Sequence, residues 1–262
     1  MRTETWPITA PPPWLALVVA PFVGSFLGVL VQRLPEGRAV VLARSRCDAC
    51  GARLRAVELV PLASFLWLRG RCRTCGAPID RFHPAVEIAA FGVALWAILA
   101  EAEPVRVWAG CLLGWVLLTL SWIDWRWMRL PDSLTLPLLV AGLLFTQQTQ
   151  PTMLTDHAAA AAAGYLGLRC VAWCYRLARG REGIGQGDAK LLGAAGAWLG
   201  LAWLPLVVLF GALLGIATAA ALALAGQRMR ANTALPFGPP LAAAFWVLWL
   251  HGNWLSYFGD VL

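Results

Sequence analysis

The feature that most constrains this chain is the recurrence of apolar runs near the length that crosses a bilayer, about 20 residues. They fall at roughly 14–32, 84–100, 105–123, 133–146, 157–176, 189–203, 205–225 and 236–254. A bilayer offers no water to stray backbone groups, so such runs must be helices. Only 13% of the residues are charged and 60% are apolar, against about 25% charged in a soluble domain. The expected fold class is all-α and polytopic, with about eight transmembrane helices. The runs at 133–146 and 189–203 are short and flanked by Gly or Pro, which suits partial or tilted spans. The first run has no basic stretch ahead of it and no small-residue cleavage site before a soluble domain. It is expected to be a retained span rather than a removed signal peptide.

The net charge is +7, which in a soluble chain would raise nucleic acid as a partner. Here the placement of the charge reports orientation. Ten arginines fall in 33–83, two in 124–132, two more in 226–232, and 176–190 holds Arg176, Arg179, Arg181 and Lys190. Eight spans put all these segments on one side, and they hold eighteen of the 21 basic residues. The opposite side has Arg2 and Arg106, and Arg169 lies within a span. The positive-inside rule makes the Arg-rich side cytoplasmic and sends both termini outward.

The long polar segment carries Cys47-Asp48-Ala49-Cys50 and Cys72-Arg73-Thr74-Cys75, each pair followed by a glycine, Gly51 or Gly76. Two C-x-x-C knuckles can complete a tetrahedral Cys₄ zinc site. The segment is poor in core residues outside 57–68, and a metal would supply folding energy that it otherwise lacks. The rivals are disulfides, which a reducing compartment disfavours, and a redox pair. Four thiolate ligands leave no open position for catalysis at the metal. Cys111, Cys170 and Cys174 lie in spans and read as small apolar residues.

Acids within or beside spans are costly and so mark candidate sites. Asp124 is expected to close one span and Asp188 to open another at the same face, which lets two carboxylates from different helices meet. Two nearby carboxylates cannot both ionise cheaply and share a proton. The ionised one can activate water while the protonated one polarises a peptide carbonyl. Gly183, Gly185 and Gly187 remove side chains beside Asp188, so a substrate backbone can come close. Gly185, Gly187 and Lys190 are the candidate substrate contacts. The plainer readings are an N-cap for Asp188 and an interfacial ion pair of Asp124 with Arg126 or Arg129. Asp132 is expected to be an N-cap before Ser133. His83, His157 and His251 form no H-E-x-x-H, and no G-x-S-x-G elbow or phosphate loop is present.

Taken in order, these motifs resemble the type IV prepilin peptidases, G-x-G-D aspartyl proteases of the membrane. Gly24-Ser25-Phe26-Leu27 through Arg33-Leu34-Pro35 resembles the first-span motif of that family. Ser45-Arg46-Cys47 through Cys75, then Pro84 and Glu87, resembles its zinc-binding cytoplasmic segment. Ile123-Asp124 through Pro131-Asp132-Ser133-Leu134-Thr135-Leu136-Pro137 resembles the block with the first catalytic aspartate. Gly183 through Leu191 resembles the block with the second, and Pro236-Phe237-Gly238-Pro239 the closing motif. The resemblance implies that Asp124 and Asp188 are catalytic and that Asp132 is an accompanying position. It implies removal of a short basic leader from prepilins or type II secretion pseudopilins at the cytoplasmic face. In many members S-adenosylmethionine then methylates the new N-terminus. Two positions depart from the family. Gly28 stands where Asn is frequent, and Phe82-His83 stands in an expected Arg-Tyr-Pro context.

The expected organisation is a tail and first helix at 1–32, a zinc-binding segment at 33–83 and a transmembrane peptidase domain at 84–262. Membrane lipids and the pilin substrates are the expected partners, with Glu58, Glu87 or lipid headgroups meeting the basic leader. The competing class is a transporter or channel whose buried acids bind ions; a scaffold without activity is the third.

Overall fold

The computed structural model describes residues 10–40, 45–180, 183, 185–227 and 235–259. Of the basic residues used for orientation, Arg2, Arg44, Arg181, Arg228 and Arg230 lie outside the described residues, as does Ile184 of the glycine-rich block. No strand occurs among the described residues. The helices are α1 (Trp14–Arg33), α2 (Ala63–Trp67), α3 (Phe82–Ala100), α4 (Pro104–Trp127), α5 (Asp132–Thr149), α6 (Leu154–Arg179), α7 (Gln186–Leu199), α8 (Leu204–Leu224) and α9 (Gly238–Gly259). Every expected apolar run is therefore helical, α2 being the short extra element of the polar segment.

Among the described residues, four stretches are long and apolar enough to cross a membrane: α1, α3, α4 and Leu201–Leu224. Helix α7 does not reach that length. Its 14 residues rise only about 21 Å at 1.5 Å each, short of a hydrocarbon core about 30 Å thick. The run expected to continue to 203 stops at Gly200, whose φ of +82° ends the helix before a 3₁₀ turn at Leu201–Trp203.

The chain forms two compact units, Met1–Thr119 and Leu120–Leu262. In the first, α1 packs along α3. Their approach depends on Gly24, where a Cβ would stand 2.6 Å from the Glu87 Cα. The Trp115 indole donates to the Ala90 carbonyl at 2.9 Å, tying α4 to α3.

In the second unit α7 is the central helix, touching α5, α6, α8 and α9. Asp188, Ala189 and every residue from Leu191 to Trp198 are buried. Small residues make this packing possible, as expected where lipid gives no hydrophobic drive between helices. Cβ atoms at Gly164 and Gly196 would stand 2.8 Å from the Leu192 carbonyl oxygen and 2.4 Å from the Ala160 carbonyl oxygen. At the far end of α7, Trp198 donates to the Leu138 carbonyl at 2.8 Å and stacks on Phe145. The side chains of Asp156 and His157 hold the turn that follows.

Candidate active site

Asp124 lies one turn before the end of α4, which runs four residues beyond the expected span end. Met128, in the left-handed region at φ +52°, closes the helix by donating to the Asp124 carbonyl at 2.9 Å. After two intervening helices, α7 starts at the same end of the unit with Asp188 in its first turn. Both side chains are buried, at 6% and 8% exposure, and the Asp124 charge acts directly on Asp188. The structure thus brings together the two acids that the sequence paired.

A backbone donor orients each carboxylate. The Gly238 N–H, at the start of α9, donates to Asp124 Oδ2 at 3.0 Å from 114 residues away. A Cβ at Gly238 would stand 2.6 Å from that oxygen, so only glycine lets α9 begin there. The Gly185 N–H donates to the Asp188 carboxylate. Gly185 is the N-cap of α7, so Asp188 reaches back from the third helical position and supplies half of a capping box. Asp188 is therefore not the N-cap of its plainer reading: Gly185 holds that position, and Asp188 caps it from the third helical residue while lying within reach of the Asp124 charge.

Asp132 is not the N-cap expected of it. Pro131 holds that position with no side-chain cap, and the Asp132 carboxylate pairs instead with Lys190 of α7. Proline at 131 already supplies the extended backbone that precedes a helix, which frees Asp132 to join the starts of α5 and α7. The glycines beside Asp188 have neighbours within the chain. A Cβ at Gly187 would meet the Leu130 Cβ at 2.7 Å, one at Gly185 the Asp188 Oδ2 at 3.1 Å, and one at Gly183 the Tyr175 ring at 2.4 Å. Gly238 is the site residue that residue chemistry alone did not single out; its signal was the Pro236-Phe237-Gly238-Pro239 motif.

The four cysteines of the first unit converge. Cys47, Cys50, Cys72 and Cys75 offer sulfurs that all lie within 4.8 Å of one another, and Cys47 and Cys75 stand 3.9 Å apart. A tetrahedral Zn–S₄ centre has edges of about 3.8 Å for bonds of about 2.3 Å, whereas a disulfide needs about 2.05 Å. The two knuckles repeat each other bond for bond. Cys47 N–H donates to the Ala52 carbonyl and Gly51 N–H to that of Cys47; Cys72 and Gly76 do the same with Ala77 and Cys72. Gly51 at φ +70° and Gly76 at φ +72° make these turns possible. The Cys75 and Thr74 backbone N–H groups, aimed at the Cys72 sulfur, hold that thiol down at about 6, favouring the thiolate that binds metal. The group can hold a metal ion.

Beside the cysteines lies a cavity of about 310 Å³ bordered by Asp48, Glu58, Asp80, His83 and Glu87. Glu58 is engaged by the Arg55 N–H and by Arg73, and Glu87 by the Leu62 N–H. The two departures from the family are one local arrangement. A Cβ at Gly28 would lie 3.5 Å from the His83 ring and 3.9 Å from the Phe82 ring, so the absent side chain at 28 leaves the room that Phe82 and His83 fill.

Residues 111–220 match the type IV leader peptidase family, and residues 18–101 match the bacterial peptidase A24 N-terminal domain. Among curated proteins, the prepilin leader peptidase/N-methyltransferase of Aeromonas hydrophila is 39% identical over 92% of both chains. That of Burkholderia pseudomallei is 42% identical over 87% of this chain and 82% of its own. That of Pseudomonas aeruginosa is 37% identical over 89% of this chain and 88% of its own. No solved structure matches. Nothing among these relatives supports the transporter reading. With the motif order, the acid geometry and these similarities in agreement, the chain belongs to the type IV leader peptidase family.

Proposed function

We propose that this protein is a membrane aspartyl endopeptidase that removes the short basic leader of type IV prepilins or type II secretion pseudopilins, then methylates the new N-terminus. The observation that carries the reading is the buried pair Asp124 and Asp188, set at one end of the second unit in a chain of this family. Asp124 and Asp188 bind water between them and hold one proton jointly. The ionised carboxylate takes a proton from that water as it attacks the carbonyl carbon. The protonated one gives its proton to the developing oxyanion; the proton taken from water then passes to the leaving amine as the C–N bond breaks, and the gem-diol O–H returns its proton to the pair as the new carboxyl forms. The Gly238 and Gly185 N–H groups fix the orientation of the acids. Gly185, Gly187 and Lys190 line the approach of the substrate.

In this reading eight helices cross the bacterial cytoplasmic membrane and the acid pair lies at the cytoplasmic face. Charge placement supports that orientation. The segment 33–83 is a zinc-ribbon-like insertion between 1–32 and the peptidase domain at 84–262. Cys47, Cys50, Cys72 and Cys75 hold structural zinc, and the donor set and sulfur spacing support that ion. For methyl transfer, the cavity beside the zinc segment offers both signs of charge, with Arg33, Arg38, Arg46 and Arg73 able to meet the carboxylate of an amino-acid methyl donor. S-adenosylmethionine carries a sulfonium and ribose hydroxyls, and Asp48, Glu58, Asp80 and Glu87 offer carboxylate acceptors there. When bound, the donor supplies an electrophilic methyl group to the freed amine.

Mass spectrometry of the mature pilin N-terminus, from cells with and without this protein, tests both activities. The expected result is a full-length unmethylated pilin in its absence and a leaderless, singly methylated one in its presence. A pilin processed identically in both strains would overturn the reading.

A further inference from the structure

We propose that residues 57–67 form a hairpin seated in the cytoplasmic leaflet of the same membrane, so that an anionic lipid surface is the partner of the zinc-binding segment. The inference rests on reading α1 and α3 as membrane spans, and it goes beyond catalysis.

Its first support is an exposed apolar surface on a segment that is not itself a span. Between the two cysteine knuckles, Leu66 is 74% exposed and Trp67 is 80% exposed. Val57, Leu59 and Val60 are exposed beside them.

Its second support is depth. The hairpin is pinned where the Leu62 N–H donates to Glu87 Oε2 at 2.8 Å. Glu87 is the sixth residue of α3, about 7.5 Å from the helix start at 1.5 Å per residue. On the other side, the Glu87 backbone lies against Gly24 of α1, nine residues before that helix ends and so about 13 Å along it. The zone between water and hydrocarbon is about 5–7 Å thick on each side of a bilayer. A hairpin bonded to Glu87 is therefore carried through that zone, and its outward side chains face acyl chains rather than water.

The pin is a built feature. Leu62 sits at φ +57°, ψ −48°, and the Ala63 N–H donates to the Pro61 carbonyl across it. Such a γ-turn is strained for a branched residue and persists where its surroundings hold it. Here the hold is the Glu87 carboxylate, which also receives the Ser25 side chain. Pro61 is buried.

Charge selects the kind of lipid. Arg53, Arg55, Arg69 and Arg71, all exposed, flank the apolar stretch on both sides. Tryptophan with nearby arginine is the composition that settles at a membrane interface, and the arginines favour anionic headgroups. The metal-binding knuckles on either side would hold both ends of the hairpin at the surface.

The test uses the whole protein in liposomes of phosphatidylethanolamine and phosphatidylglycerol. Photo-reactive p-benzoylphenylalanine is placed singly at Trp67, at Phe22 of α1 and at Ala49 in the first knuckle. After irradiation, adducts are identified by mass spectrometry. The expected result is lipid adducts at 67 and at 22, with none at 49, and loss of the adduct at 67 in Glu87→Ala but not in Glu87→Gln. Lipid adducts at 22 with none at 67 would overturn the inference while leaving the membrane reading intact. So would adducts at 67 joined only to a second copy or to an added pilin. Absence of lipid at both 22 and 67 would overturn the span reading and the inference with it.

Discussion

The two units solve the problem of gathering functional side chains in opposite ways. In the first, four cysteines sit on two short turns with the same hydrogen bonds and the same left-handed glycine, Gly51 and Gly76. Each turn makes half a site from five consecutive residues. In the second, Asp124, Asp188 and Gly238 come from three helices, and the packing of those helices brings them to one end. A locally built site can lose its metal and disturb little beyond its own segment. A site assembled by packing depends on every close approach that positions it.

Outside the acid pair itself, the largest effect should follow from breaking such an approach. Gly238→Ala puts a methyl group 2.6 Å from the Asp124 carboxylate oxygen, forcing α9 or the acid to shift. Prepilin cleavage should fall by about 10²-fold, the scale of an ångström misplacement at a reacting group, with kcat rather than KM carrying the loss. Unchanged kcat would show that α9 plays no part in orienting Asp124.

A smaller effect on cleavage, with a large effect on metal, is expected from Cys72→Ser. On the proposed zinc reading, the metal retained after dialysis against a chelator should fall sharply, because loss of one of four thiolates weakens the site and opens it to water. Cleavage of a prepilin in detergent should stay within about tenfold of wild type, since the acid pair is held by the other unit's helix contacts. If cleavage disappears with the metal, the two regions are not separable as described.

The smallest effect should come from the Lys190–Asp132 pair. It is partly open to solvent, with side-chain exposures of 26% and 57%, so Lys190→Ala should cost only about two- to five-fold in cleavage, the range for an exposed pair. Exchanging the two charges, Lys190→Asp with Asp132→Lys, should recover most of that loss in a double-mutant cycle. Recovery would sharpen the pair's role in joining the starts of α5 and α7.

What could be read in the sequence follows the same division. The cysteine spacing was legible because a C-x-x-C turn is local, and the helices were legible because apolar length forces them. The pairing of Asp124 with Asp188 was legible through the even number of helices between them, which needs no knowledge of packing. The role of Asp132 was misread, since its preference for a helix cap was overridden by Pro131 in front and Lys190 beside it. The Gly238 N–H at Asp124 and the Leu62 N–H at Glu87 were not readable. Each is a contact made by backbone, and a backbone donor leaves no mark on residue type except where a glycine is required. The end of α7 at Gly200 was likewise hidden, because hydropathy continues through Trp203 while the backbone turns.

The central claim is that Asp124 and Asp188 work as one unit, and the most direct measurement is the single-turnover rate of prepilin cleavage by the purified protein and by Asp124→Asn and Asp188→Asn. Each amide keeps the size of the acid and can still accept its Gly238 or Gly185 hydrogen bond, and an unchanged thermal unfolding profile in detergent checks that the second unit is folded. The account predicts that either change alone lowers the rate by about 10³-fold and that the double variant is hardly worse than either single one. A rate near wild type in either single variant would contradict it.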